Sequence, residues 1–117
     1  MIQSYKDLIV WQKSMDLVES IYKLTEKLPS KEQFGLISQI RRAAVSIPSN
    51  IAEGYGRQST GSYAHFLSIA RGSLLELETQ IDLCIRLRYV QINDSQDIQT
   101  NIIEISKMLS SLISKLK

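Results

Sequence analysis

The sequence predicts an all-α protein, an antiparallel up-down-up-down four-helix bundle whose second helix is kinked by a proline. Three observations carry this expectation. Apolar residues recur at three- and four-residue steps in four separate stretches, turn and cap residues divide those stretches, and no two-residue alternation of a strand competes.

The first stretch runs from about Asp7 to Leu28. Leu8, Trp11, Met15, Val18 and Tyr22 form one stripe, and Leu17, Ile21, Leu24 and Leu28 widen it. Pro29 ends it, because the residue before a proline is pushed out of the α region. The second stretch opens at Ser30, with Gln33 three residues on at the spacing of a capping box. Phe34, Ile37, Ile40, Ala44, Ile47 and Ile51 supply its apolar face. Pro48 lies inside it and has no backbone donor for the carbonyl of Ala44, which predicts the kink. Gly54 is expected to end this helix in the left-handed conformation that costs glycine little, with Gly56 close behind.

Ser59 or Thr60 can cap a third, long helix. Tyr63, Phe66, Leu67, Ala70, Leu74, Leu77, Ile81, Cys84 and Ile85 keep helical spacing along it, which at about 1.5 Å per residue makes a rod of roughly 30 Å or more. Gly72 in its middle costs about 1 kcal/mol relative to alanine. With Ser68 one turn before, it is expected to mark a close approach to another helix. Tyr89 to Asn93 turns the chain, and Asn93 with Gln96 repeats the capping spacing. Ile98, Ile102, Ile105, Leu109, Leu112 and Leu116 then step four-three-four-three-four, the seam of a bundle helix. Long amphipathic helices on short connections place neighbours antiparallel.

A chain of 117 residues suits a single domain spanning residues 1–117, with one core that needs no metal or disulfide. A composition 44% apolar and 22% charged places it among ordinary globular proteins. The only cysteine, Cys84, rules out an internal disulfide. Met1 to Asp7 lacks the basic and apolar regions of a signal peptide, and no apolar run approaches the roughly 20 residues that span a bilayer. A soluble cytoplasmic protein without a membrane partner is expected.

Little in the chain supports catalysis. His65 is the only histidine, so no helical zinc pair can form, and one cysteine cannot build a thiolate cluster. Cys84 falls on the apolar stripe of the third helix and reads as a small core residue. Gly54, Gly56 and Gly61 follow no strand and precede no Gly-Lys-Ser/Thr, so they make no phosphate loop. Glu76 and Glu78 flank Leu77 and point away from each other on a helix, which excludes an acid/base pair. A carboxylate at Glu76 turned toward the core would demand a cation, and Arg41, Arg42 or Arg71 could supply it. No catalytic residue, metal site or cofactor is expected, and the protein reads as a non-enzyme.

The charge distribution says more than the net +2. Every lysine lies in Lys6 to Lys31 or Lys107 to Lys117, whereas all six arginines lie between Arg41 and Arg88. From Ser38 to Arg71, Arg41, Arg42, Arg57 and Arg71 face the single acid Glu53, which leaves +3. Arginine is the residue of phosphate and carboxylate recognition, so these four are the candidate nucleic-acid-binding residues.

The run Gln39-Ile40-Arg41-Arg42-Ala43-Ala44-Val45-Ser46-Ile47-Pro48-Ser49-Asn50-Ile51-Ala52-Glu53-Gly54 resembles the signature of the four-helix-bundle proteins known as 23S rRNA intervening-sequence proteins. The block from Phe66 to Gln80 and the opening Leu8 to Ser14 resemble the same family, so the likeness covers nearly the whole chain. The resemblance implies a bacterial protein and a homopentamer, as in the related accessory protein of diversity-generating retroelements, where a basic surface serves nucleic acid and a reverse transcriptase. It implies no assigned molecular role.

Two readings follow. In one, a homo-oligomer binds RNA or DNA, or a nucleoprotein, through its central arginines; phosphate binding grows with the number of charges engaged. Only Tyr55 and Tyr63 lie near for base stacking, so sequence-specific reading is not expected. In the other, the oligomer is a structural or protein-interaction scaffold whose arginines pair with acids across subunits. The first and second helices carry apolar faces wider than a monomer needs, so neighbouring subunits should cover the surplus.

Overall fold

A computed structural model describes all 117 residues. It contains four α-helices and no strand: α1 Ile9–Thr25, α2 Leu36–Tyr55, α3 Thr60–Arg86 and α4 Ile92–Leu116, with single 3-10 turns at Tyr5–Asp7 and Ser30–Glu32. α1 and α3 each pack on α2 and on α4. One cluster of 23 buried apolar residues draws on all four helices. Leu17, Ile21, Ile40, Ile47, Ile51, Leu67, Leu77, Ile81, Ile105 and Leu109 are sealed completely, and each such side chain contributes about 1.5–3 kcal/mol on burial.

α1 turns a different stripe inward from the expected leading one. Its core face is Val10, Ser14, Leu17, Ile21 and Leu24, while Trp11 and Val18 are half-buried and Met15 and Tyr22 exposed. The buried Ser14 explains the disguise. Its hydroxyl donates to the carbonyl of Val10 at 2.7 Å, so a polar residue sits in the core stripe at no loss of hydrogen bonding.

Ser30 does not cap α2. It opens the separate 3-10 turn, and Glu32 performs the capping instead. One carboxylate oxygen accepts from the backbone N–H of Leu36 at 3.2 Å, and the other accepts from the hydroxyl of Tyr89 at 2.9 Å. A single acid therefore satisfies an orphan donor of α2 and ties it to the α3–α4 connection. Phe34, expected on the apolar face of α2, lies before the helix and is 95% exposed. Pro48 is buried inside α2, which continues through it to Tyr55.

Gly54 takes the role expected of Gly72, and neither glycine takes the left-handed position. Gly54 is buried inside α2 with an ordinary negative φ, and a Cβ there would lie 2.8 Å from Cβ of Phe66 and 3.1 Å from Cδ1 of Tyr63. This is the close approach, the end of α2 against the start of α3. Gly72 is exposed and a Cβ there would meet nothing within 4 Å. The left-handed position belongs to Arg88, φ 64°, after α3. Its N–H donates to the carbonyl of Ile85 at 3.0 Å, and that of Tyr89 to Cys84 at 2.9 Å, the pairing of a Schellman motif without its usual glycine. The N-cap of α4 is Gln91, two residues before the expected cap, and its N–H is donated to the Asp94 carboxylate at 2.9 Å. Its core positions, Ile98, Ile102, Ile105, Leu109 and Ile113, leave the expected seam at the last step because a straight helix repeats every 3.6 residues rather than 3.5.

Cross-helix contacts gather the chain's segments at two ends. At one, Val10 lies with Met108 and Leu112, Arg71 reaches Ser110, and Tyr5 and Trp11 lie beside Pro48 and Ala52. At the other, Lys27 pairs with Asp94 at 3.0 Å and Tyr89 meets Glu32.

Two outcomes are expected of stability measurements. Gly54→Ala should lower stability by about 1–3 kcal/mol through overpacking, whereas Gly72→Ala should raise it by about 0.5–1 kcal/mol. Thermal melts followed by far-UV circular dichroism will show opposite shifts; equal shifts would refute the assignment of the close approach. In addition, the pKa of Glu32 is held below its ordinary 4.5, first by the Leu36 N–H and then by Tyr89. That of Asp94 is held below 3.8, first by the Gln91 N–H and then by Lys27. Depressed carboxylates stabilise the fold above their unfolded pKa values and lose that contribution as pH falls through the folded ones. The melting temperature should therefore be level above about pH 5 and drop below about pH 4. The drop should be shallower in Glu32→Gln with Asp94→Asn.

Candidate functional site

The four candidate arginines take four different positions. Arg41 leans from α2 toward α1: its Nε donates to Thr25 Oγ1 at 2.9 Å, and its guanidinium stands 4.4 Å from the centre of the Tyr22 ring. Arg42, one residue and 100° further round the helix, is exposed and makes no ion pair or hydrogen bond. Arg57, in the α2–α3 connection, pairs with Glu53 at 3.0 Å and lies 4.6 Å over the Phe66 ring. Arg71 is half-buried on α3 and donates to Ser110 of α4 at 3.3 Å. Within one chain they do not converge on a common surface.

The expected inward carboxylate is also absent. Glu76 is exposed and accepts from Gln80 at 3.2 Å, and none of Arg41, Arg42 and Arg71 pairs with it. The half-buried arginine of the pair Arg41/Arg42 is thus held by a hydroxyl and an aromatic face rather than by an acid.

The side chains with chemical potential are committed to structure. Cys84 is buried in the core, where desolvation pushes its thiol up to about 11, so it is not a thiolate at neutral pH. His65 is exposed beside Phe66, with ring centres 5.9 Å apart. No group of three His, Cys, Asp or Glu could hold a metal ion, and no helix is long and apolar enough to cross a membrane. Burial, with the charge of Tyr55 second, raises the pKa of Tyr63.

One surface hollow stands out by its apolar lining. A groove of about 360 Å³ runs between α1 and α2, lined by Trp11, Met15, Val18, Val45, Pro48 and Ala52 with Tyr5 at its end. It continues into a second hollow lined by Tyr22, Ile37 and Val45 and flanked by Phe34, Arg41 and Arg42. Met15, Tyr22 and Val45 are each 41% exposed, and Phe34 stands almost free. The α1 residues of this face are the stripe that the sequence assigned to the core. Phe34 was missed as a surface residue, although the glycine that follows it, the N-cap of α2, marks the point where the helix starts.

Comparison with known proteins agrees with the all-α fold. Residues 6–111 match the family described as 23S rRNA-intervening sequence protein. A crystal structure of a protein of unknown function from the S23 ribosomal protein family of Bacteroides thetaiotaomicron superposes with a TM-score of 0.79 at 32% identity. The superposition covers 90% of this chain and 98% of that one. No curated protein matches the chain. The match to the family over residues 6–111 and the likeness to a solved relative along almost its whole length agree, and the chain belongs to the 23S rRNA-intervening sequence protein family.

Proposed function

We propose that the protein is a non-enzymatic homo-oligomer of up-down-up-down bundles, joined through the apolar face between α1 and α2. The observation that carries this reading is that face itself. Met15, Tyr22, Val45 and Phe34 leave a continuous apolar surface exposed on a single chain, and monomeric proteins rarely leave such a patch uncovered. A bend of α2 at Pro48 would shape the floor of the groove, since Pro48 lines it. The family resemblance supports five subunits. A non-enzymatic role is supported by the buried, protonated Cys84 and by the engagement of the candidate arginines in structural contacts.

Within the assembly, nucleic-acid binding falls to cations that the fold leaves reachable. Arg42 is unpaired, and Arg57 shares only an exposed ion pair with Glu53, worth about 0–1 kcal/mol and easily exchanged for a phosphate. Arg41 and Arg71 serve packing first. The scaffold reading without nucleic acid is favoured by Arg41 and Arg42, which both border the apolar face and would meet a neighbouring subunit seated on it.

Light scattering at micromolar concentration should give a mass several times 13.3 kDa. Met15→Glu with Val45→Glu should yield a helical monomer. A wild-type mass of 13.3 kDa would dismiss the oligomer. Filter binding at increasing salt tests the second half: wild-type affinity for RNA or DNA should fall steeply, and Arg57→Glu should reduce it without changing the oligomer mass. Absence of binding at low ionic strength leaves the pure scaffold.

A further inference from the structure

The bundle segregates its charge along its length, and its aromatic rings follow the cations. The contacts that join Val10 to Met108, Arg71 to Ser110 and Trp11 to Ala52 bring residues 1–14, 50–73 and 104–117 to one end. These segments hold seven cations and three acids, net +4, whereas the remainder holds the other seven cations and nine acids, net −2. Two of the three acids at the basic end are already engaged, Glu53 with Arg57 and Glu104 with Lys13. Lys107, Lys115 and Lys117 of α4 are exposed and form no ion pair.

The same end carries polar-edged aromatic pairs. Tyr55 and Tyr63 meet edge to face with centres 6.1 Å apart, and His65 meets Phe66 in the same way. Arg57 lies over the Phe66 ring, so a cation and an edge-to-face ring pair already share one spot. Lysines at the end of α4 also complement its helix dipole, which accounts for Lys115 and Lys117. It does not account for Lys107, two turns earlier, or for the rings that α2 and α3 carry toward the same end.

Cations interleaved with aromatic faces are the chemistry that holds single-stranded nucleic acid, the cations on phosphates and the rings under bases. From this geometry we infer that the basic end, led by Lys107, Lys115 and Lys117 with Arg57 and His65, is a binding surface for single-stranded nucleic acid. The inference rests on the nucleic-acid reading above but moves its centre away from Arg41, Arg42 and Arg71. A cyclic oligomer strengthens it. Rotation about the ring axis keeps each subunit's direction along that axis, so the basic ends of bundles standing along it all point to one side. Every subunit then adds its charge to one face, and affinity grows with each phosphate engaged.

The test compares two variants that remove equal charge. One reverses Lys107, Lys115 and Lys117 to glutamate at the basic end; the other reverses Lys23, Lys31 and Arg86 at the opposite end. Binding of fluorescein-labelled oligouridine is titrated across salt concentrations, with helicity and oligomer mass verified for each protein. The basic-end variant should lose at least tenfold more affinity than the control. Its salt slope should fall by about 2, given about 0.7 per phosphate contact on a single strand. Equal losses in both variants would overturn the basic-end site while leaving nucleic-acid binding standing; no binding by the wild type would overturn both. Capture by anionic phosphatidylglycerol vesicles without binding to RNA would also overturn it. Should a variant misfold, amine-reactive labelling of the wild type decides the matter. RNA should shield Lys107, Lys115 and Lys117 and leave Lys23, Lys27 and Lys31 reactive, and the reverse pattern would refute the proposal.

Discussion

The close contact between α2 and α3 is the constraint on which the rest of the structure depends. α2 meets α3 through small residues: Ala43 is buried, Ser46 shares a hydrogen bond with Ser73 at 2.9 Å, and Gly54 admits Phe66 and Tyr63 against its backbone. Any larger residue in this row would hold the helices apart. The polar members cost little, because Asn50 donates to both the carbonyl and the hydroxyl of Ser46. On its other side α2 meets α1 through Val45, Pro48 and Ala52, again short side chains, but here α1 offers Met15 and Val18 at an angle that leaves a groove between them. The same economy of volume that seals one flank leaves the other half-filled.

This asymmetry also fixes what the arginines can do. Successive helical residues diverge by 100°, so Arg41 and Arg42 make different contacts, although both border the hollow lined by Tyr22 and Val45. Arg41 leans on the α1 flank and is absorbed by Thr25 and Tyr22, and Arg42 stands exposed at the rim of the same hollow without an ion pair. Arg71 points to α4, whereas Arg57 sits in the connection beyond the end of α2. Charges clustered along a sequence are spread around a bundle, because a run of 34 positions from Ser38 to Arg71 covers parts of two helices and every direction about each.

Much of the fold was legible because helical periodicity is a local signal. The four helices, the buried Cys84 and most of the α3 and α4 core follow directly from spacing. What was not legible depends on neighbours. Ser14 is a core residue only because the Val10 carbonyl is one turn away and other helices close over it. Glu32 caps α2 only because Tyr89, 57 residues later, holds its second oxygen. Whether Gly54 or Gly72 marks a close contact is a property of the opposing helix, and Phe66 supplies it for one while open space surrounds the other. Arg88 in the left-handed region was invisible for a related reason: without glycine there, only the paired carbonyls of Cys84 and Ile85 reveal the motif. The candidate site was legible in residue type and not in place.

The surfaces that matter for interaction differ in direction as well as chemistry. The apolar face lies along the side of the bundle, where burial against another copy removes it from water. The excess of positive charge lies toward the end where the groove closes on Tyr5 and Trp11, but its lysines on α4 border a different hollow, beside Val10 and Met108, and do not line the groove. Hydrophobic association is short-ranged, while phosphate attraction, like the repulsion between neighbouring basic ends, acts over roughly a Debye length of about 8 Å at physiological salt. A chain built this way can therefore assemble through its flank without consuming the charges at its end. Lateral assembly then raises the charge density of that end with each subunit added, so the apolar groove, with no role in contacting an anion, would set how strongly one is held.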